Sequence, residues 1–126
     1  MLLNCLSVGC GGFIGSILRH LCNLIKVPIA DFPLITLGIN AVGSFAIMFL
    51  SALIVHHLPM NENLMLFVRV GLCGGFTTFS TFSAETLGML ESGNTVLAIV
   101  YAIGSCVICV AFALLGQISA SALLDA

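Results

Sequence analysis

Between Gly71 and Ser83 the chain reads GLCGGFTTFSTFS: three glycines, then five hydroxyl residues interleaved with phenylalanines. Each glycine weakens a helix by up to about 1 kcal/mol relative to alanine. Hydroxyl side chains bond to neighbouring backbone and bend helices. Together they predict a helix break near residues 74–79. A break inside a membrane frees backbone groups that line cavities or coordinate ions. Carbonyls at the end of the first half-helix suit a cation, and the N-terminus of the second half suits an anion. Phe79 and Phe82, three apart, share the face that follows. Such a pair either packs against neighbours and lipid or turns its positive ring edges toward an electron-rich group. The hydroxyls of Ser80 and Thr81 lie between them as further donors. No GK[ST] follows the glycines, which excludes a phosphate loop.

Other polar residues also fall inside apolar sequence. Thr36, Asn40 and Ser44 follow one another at helical i, i+4, i+8 spacing, as do Tyr101, Ser105 and Cys109. Two single-sided stripes fit either a lined pathway between helices or hydrogen bonds that join helices. Asn40 offers two donor hydrogens and two acceptor lone pairs, more than such a joint requires. Glu85 stands about one turn beyond Phe82, either near the interface or paired at depth with a cation such as Arg19. The cysteines Cys5, Cys10, Cys22, Cys73, Cys106 and Cys109 lie in or beside apolar runs, where thiols pack as small hydrophobes. CVIC at 106–109 has the spacing of a redox or zinc motif, but no charged or histidine neighbour supports that chemistry. His56 and His57 end an apolar run, a position that suits an interface rather than a metal.

The elements that carry these residues follow from composition. Of 126 residues, 60% are hydrophobic and 6% charged, and mean hydropathy is +1.26. This defines an all-α integral membrane protein of one domain, residues 1–126. The cations are Arg19, Lys26 and Arg69 and the net charge is −2, which gives no basis for binding nucleic acid. A bilayer core of about 30 Å needs about 20 apolar residues per helix. Four transmembrane helices are expected: Leu3 to Ile25, Leu34 to Leu58, Leu64 to Leu90 and Thr95 to Leu124. The turn ESGN at 91–94 closes the third. With no Lys or Arg before Arg19, the first run is expected to be a retained helix rather than a signal peptide. Short connections make successive helices antiparallel, with both termini and the 59–63 loop on one side. Lys26 and Arg19 mark one side and Arg69 the other, so the positive-inside bias is close to nil. That balance fits either an orientation set by one or two charges or a chain that inserts both ways. GCGGFIGS at 9–16 and GINAVGS at 38–44 carry small-xxx-small spacings that favour close helix packing. Four short helices enclose a polar pathway poorly, so self-association is expected, with no other protein partner evident.

In the order and spacing of GLCGGFTTFSTFS, GGFIGSILRH at 11–20 and TLGINAVGSF at 36–45, the chain resembles the Fluc (CrcB-type) fluoride channels over essentially its whole length. The resemblance implies an antiparallel dual-topology homodimer in the plasma (inner) membrane, with two fluoride pores at the subunit interface. It implies passive export of cytoplasmic fluoride, which relieves toxicity. It further implies a structural sodium ion at the dimer centre, held by the carbonyls of Gly74 and Thr77. Carried over by motif, Phe79 and Phe82 are pore phenylalanines and Asn40 donates to the ion. Tyr101 and Ser105 line the fourth helix, and Arg19 and Glu85 match polar positions of the family. Thr36, Ser80 and Thr81 join the expected fluoride-facing set. Cys109 departs from the pattern where a hydroxyl commonly continues the track; His20 and Ile35 also depart, away from the central motif.

The residues bear on two other functions as well. A proton-coupled multidrug exporter of dual topology needs a carboxylate central in its binding cavity, usually in the first helix, and no acid lies within the first span. A non-transporting membrane assembly subunit would leave the hydroxyl–phenylalanine string to packing alone. Nothing in the residues points to an enzyme.

Overall fold

A computed structural model of the chain describes residues 1–25, 32–57 and 62–125. Lys26, most of the 26–33 and 59–63 loops, and the side chain of His57 lie outside the described residues. All regular structure among those described is helical. Helix α1 runs Leu2–Asn23 and α2 Leu34–His57. The third span begins as α3, Glu62–Met65, and widens into a π-helix at Leu66–Cys73. It tightens again in α4, Gly74–Phe76, and resumes after Thr78 as α5, Phe79–Glu91. Helix α6 is Thr95–Leu124. Four stretches, Leu2–Asn23, Leu34–His56, Glu62–Glu91 and Thr95–Leu124, are long and apolar enough to cross a membrane.

The expected break is present and confined to two residues. Thr77 is extended at φ −74°, ψ 158°, and Thr78 at φ −148°, ψ 105°. The Thr78 side chain then caps α5 by accepting from the Thr81 N–H at 3.2 Å, the usual role of a hydroxyl at a helix start. The π-helix was not anticipated. It shows in Gly74, whose N–H reaches the carbonyl of Arg69, five residues back; π-turns inside membrane and enzyme helices recur at functional sites. The turn at 91–94 also forms as expected. Gly93 adopts φ 82°. Its N–H bonds the Leu90 carbonyl at 3.1 Å, and the Asn94 N–H bonds that of Met89 at 2.9 Å. This is the left-handed glycine stop that satisfies the last carbonyls of a helix.

The helices pack as two intimate pairs: α1 with the first half of the third span, and α2 with α6. Both seams depend on the absence of side chains. A Cβ at Gly11 would meet the backbone of Phe67 and, at 2.8 Å, the Leu72 nitrogen. One at Gly15 would meet the Leu72 carbonyl and, at 2.8 Å, the Phe76 nitrogen. From the other side, Gly71 and Gly75 press on the backbone of Val8, Gly11 and Gly12. Gly116 of α6 lies against the Phe45 carbonyl of α2 in the same way. Without a hydrophobic drive between helices in lipid, such close approach supplies the dispersion contact that holds them. Outward, α6 exposes Ile103, Val107, Val110, Leu114 and Ile118, an apolar face that belongs in hydrocarbon. Its 30 residues span about 45 Å, longer than a bilayer core, so the helix tilts or reaches through the headgroups.

The Gly15→Ala variant places a methyl group against backbone that cannot yield, an overpacking cost of about 1–3 kcal/mol. Thermal unfolding of the purified protein in detergent is expected to show a lowered midpoint. Gly9→Ala, whose Cβ meets nothing within 4 Å, should leave the midpoint unchanged or raised. Equal midpoints for the two variants would remove the seam as a stabilising feature.

Candidate functional site

The two extended residues of the break expose peptide groups that a continuous helix would satisfy internally, and other helices supply the partners. Asn40 of α2 accepts from the Thr78 N–H through Oδ1 at 2.8 Å and donates Nδ2 to the Thr78 carbonyl at 3.1 Å. One amide thus serves both backbone groups of one residue. Arg19 of α1 donates Nη1 to the Thr77 carbonyl at 3.2 Å. Thr77 turns back on its own helix, its N–H and its hydroxyl both donating to the Cys73 carbonyl at 2.9 Å. The Thr78 hydroxyl donates to Thr81 Oγ1 at 2.9 Å, and Ser80 Oγ lies 3.3 Å from it. Gly43, one turn beyond Asn40, has no room for a Cβ because the Thr77 methyl occupies that space. This close approach brings the break within reach of Asn40.

A second polar cluster joins α2, α5 and α6. Glu85 accepts from Thr36 Oγ1 through Oε1 and from the Tyr101 hydroxyl through Oε2, each at 2.7 Å. Both are ordinary lengths for O–H···O bonds. Tyr101 is fully buried. Its ring packs against Phe82 at 5.2 Å and edge-on against Phe32 at 5.4 Å, and Phe82 in turn lies 5.5 Å from Phe79. Of the two placements open to Glu85 from sequence, pairing with Arg19 is not present: Arg19 bonds the break, and two hydroxyls hold the Glu85 carboxyl group.

Between α2, α6 and the break lies a cavity of about 320 Å³. Its walls bring together Asn40, Phe79, Phe82, Ser105, Gly74 and Thr77 from the expected set. Thr36, Tyr101 and Glu85 stand behind the phenylalanines as their support, Arg19 approaches the break from α1, and Ser80 and Thr81 are exposed in the first turn of α5. The two polar stripes do face each other: Ser44 lies in the same wall, donating to the Asn40 carbonyl at 2.7 Å, opposite Ser105 and Cys109. Ser105 is 6% exposed and its Oγ has no hydrogen-bond partner among the described residues. A buried hydroxyl left so is costly unless something entering the cavity accepts its hydrogen bond. Phe79 is 77% exposed, so the cavity opens at this ring on the flank of the single chain. Gly43, Ile47, Cys73 and Cys106 also form the wall and escaped the sequence reading of the site; the small-residue spacing at Gly38–Ser44 was the signal that α2 is closely approached there. Among the described residues no cluster of three or more His, Cys, Asp or Glu could hold a metal.

A multi-pass membrane protein with a polar cavity at a broken helix is the class this geometry defines. The profile of the family described as CrcB-like protein, Camphor Resistance (CrcB), matches residues 6–117. The chain is 39% identical over 121 residues to the fluoride-specific ion channel FluC of Ruminiclostridium cellulolyticum, across 94% of this chain and 93% of that one. It is 40% identical over 120 residues to the protein of the same name from Methylobacterium radiotolerans, across 93% and 84%. With that of Gluconobacter oxydans the identity is 42% over 120 residues, across 92% and 83%. The chain belongs to the CrcB-like (Fluc) family. Its relatives are ion channels, not enzymes, and with four apolar spans it is a multi-pass protein of the plasma membrane.

The carboxylate clamp makes a measurable coupling. Tyr101→Phe and Thr36→Val should each lower stability in detergent by about 1–3 kcal/mol, the cost of leaving a buried carboxyl oxygen without its donor. In a Glu85→Ala background the same substitutions should lose most of their effect. Undiminished effects in that background would mean that Tyr101 and Thr36 act through packing alone.

Proposed function

We propose that this protein is a fluoride channel that lets cytoplasmic fluoride leave passively and so relieves its toxicity. The observation that carries this is the cavity wall, where Asn40, Ser105, Phe79 and Phe82 converge, in a chain about 40% identical to proteins named as fluoride-specific channels. Fluoride is small and strongly hydrated, so a path through hydrocarbon must replace its water with donors. Asn40 engages one Nδ2 hydrogen at Thr78 and keeps the second. Ser105 supplies a hydroxyl, and Ser80 and Thr81 add two at the mouth beside Phe79. The rings of Phe79 and Phe82 present positive edges, held in place by Tyr101, which Glu85 and Thr36 anchor. Fluoride enters cells as the neutral acid, dissociates, and is driven outward as an anion by the membrane potential.

In this proposal two copies associate antiparallel, forming two pores between them, and the second copy covers the exposed flank at Phe79. A near-even distribution of Arg and Lys between the two sides supports insertion in both directions. A structural sodium ion at the centre of that dimer would be held by the carbonyls of Gly74 and Thr77. The residues fit such an ion. The Thr78 N–H, which would close on the Gly74 oxygen in an unbroken helix, is bonded to Asn40 instead, and Thr77 keeps a lone pair beyond its bond to Arg19. Hard cations gather about six oxygens, so the second copy supplies the remainder. Such an ion would fix the two breaks together.

Reconstituted into liposomes loaded with potassium fluoride, the protein should release fluoride rapidly once valinomycin is added, as read by a fluoride electrode, with little chloride release under the same conditions. Phe82→Ile should slow efflux by at least about tenfold, about 1.4 kcal/mol at the barrier, while the protein still elutes as the same oligomer. Fluoride retained by vesicles that contain folded protein would refute the channel; unchanged flux in the variant would reduce Phe82 to a packing residue.

A further inference from the structure

Three thiols share the cavity wall with the ion-facing groups: Cys73, Cys106 and Cys109. They differ in access. Cys73 is buried at the end of the π-helix, Cys106 is exposed, and Cys109 is half-buried. Cys106 and Cys109 sit three apart on α6 and therefore on one face. Cys109 lies one turn beyond Ser105, whose unpartnered and almost fully buried hydroxyl lines the same space, and it stands across from Ser44. Where the two polar stripes close on each other, the last side chain on the α6 stripe is therefore a nucleophile rather than a hydroxyl. All six cysteines are free thiols.

We propose that Cys109, with Cys106 beside it, is a covalent modification site for small sulfur electrophiles that enter by the ion path, and that an adduct on Cys109 closes that path. The proposal rests on the cavity being the route of the ion. An anion that takes the Ser105 hydroxyl must enter this cavity, and a thiol one turn away in the same wall is open to a small reagent that enters the same way. The thiolate form is the nucleophile. With an alkyl methanethiosulfonate, the Cys109 sulfur attacks the sulfenyl sulfur. A protein–S–S–alkyl bond forms, methanesulfinate departs with the bonding electron pair, and the thiol proton passes to water. The attached group then projects from α6 toward Ser44 and Asn40 and occupies space that Ser105 and Phe82 border. Cys73, being covered, should react last. Cys106, exposed and a turn removed from Ser44, should react readily without blocking.

The test uses benzyl methanethiosulfonate on the full chain in liposomes at pH 8, with two readouts on the same sample: fluoride efflux, normalised to each variant's own rate before reagent, and peptide mass mapping of the adducts. Native protein should carry the adduct on Cys109 and lose at least about nine-tenths of its efflux, a tenfold change. Cys106→Ser should be inhibited like the native chain. Cys109→Ser and Cys109→Ala should keep most of their own efflux after treatment. Mass mapping that finds Cys109 unmodified while Cys106 is fully modified would overturn the proposal without touching the channel reading. So would an adduct on Cys109 with efflux intact, or equal inhibition of the Cys109 variants. If native protein shows no efflux before reagent, the channel reading is what fails; Cys109 then labels only if water reaches the cavity, and an unlabelled Cys109 overturns the modification site as well.

Discussion

Everything in this molecule follows from two peptide groups that hydrocarbon will not tolerate unpaired. Inside a bilayer a helix can break only where another part of the protein takes over its backbone hydrogen bonds. At Thr77 and Thr78 that task falls to Arg19 from α1 and Asn40 from α2. The break is thus a joint between three spans, with the Asn40 amide as its pin. The pin uses the acceptor and one donor hydrogen of Asn40, a residue that also lines the cavity.

The rest of the fold keeps that joint in register. Glycines at 11, 15, 71 and 75 let α1 and the first half of the third span touch backbone to backbone, which brings Arg19 to Thr77. The second half is held independently, by Glu85 reaching Thr36 and Tyr101 at once. A carboxylate at that position would be an expense in lipid; shared between two hydroxyls it becomes the tie between α2, α5 and α6. Tyr101 then backs Phe82, and Phe82 backs Phe79. Rings that face the cavity are fixed by groups that do not enter it.

Much of this was legible in the sequence because lipid makes polar residues conspicuous. The four spans follow from length and apolarity, and the break from glycines followed by hydroxyls. The stripes Thr36–Asn40–Ser44 and Tyr101–Ser105–Cys109 follow from helical spacing. What spacing could not give was the partner of each polar group. Arg19 and Glu85 are the obvious opposite charges, yet each bonds to neutral groups elsewhere, because the depth and rotation of a helix are set by seams such as Gly15 on Leu72 rather than by charge. The π-helix at Leu66–Cys73 was hidden for a similar reason: apart from Gly71 its residues carry no helix-breaking signal, and the i→i+5 pattern becomes visible only in three dimensions. Thr36 and Tyr101 bond Glu85 and are absent from the cavity wall that Asn40, Ser44, Ser105 and Cys109 share, since a stripe marks a face and not the order of groups across it.

The central claim, that the cavity at the break carries fluoride, is tested most directly by the zero-current potential of the protein in a planar bilayer with unequal fluoride on its two sides. The account predicts a potential that moves by about 59 mV for each tenfold change in the fluoride gradient and does not move when chloride is changed at fixed fluoride. A potential that follows chloride, or that stays at zero across a fluoride gradient while current flows, would contradict it.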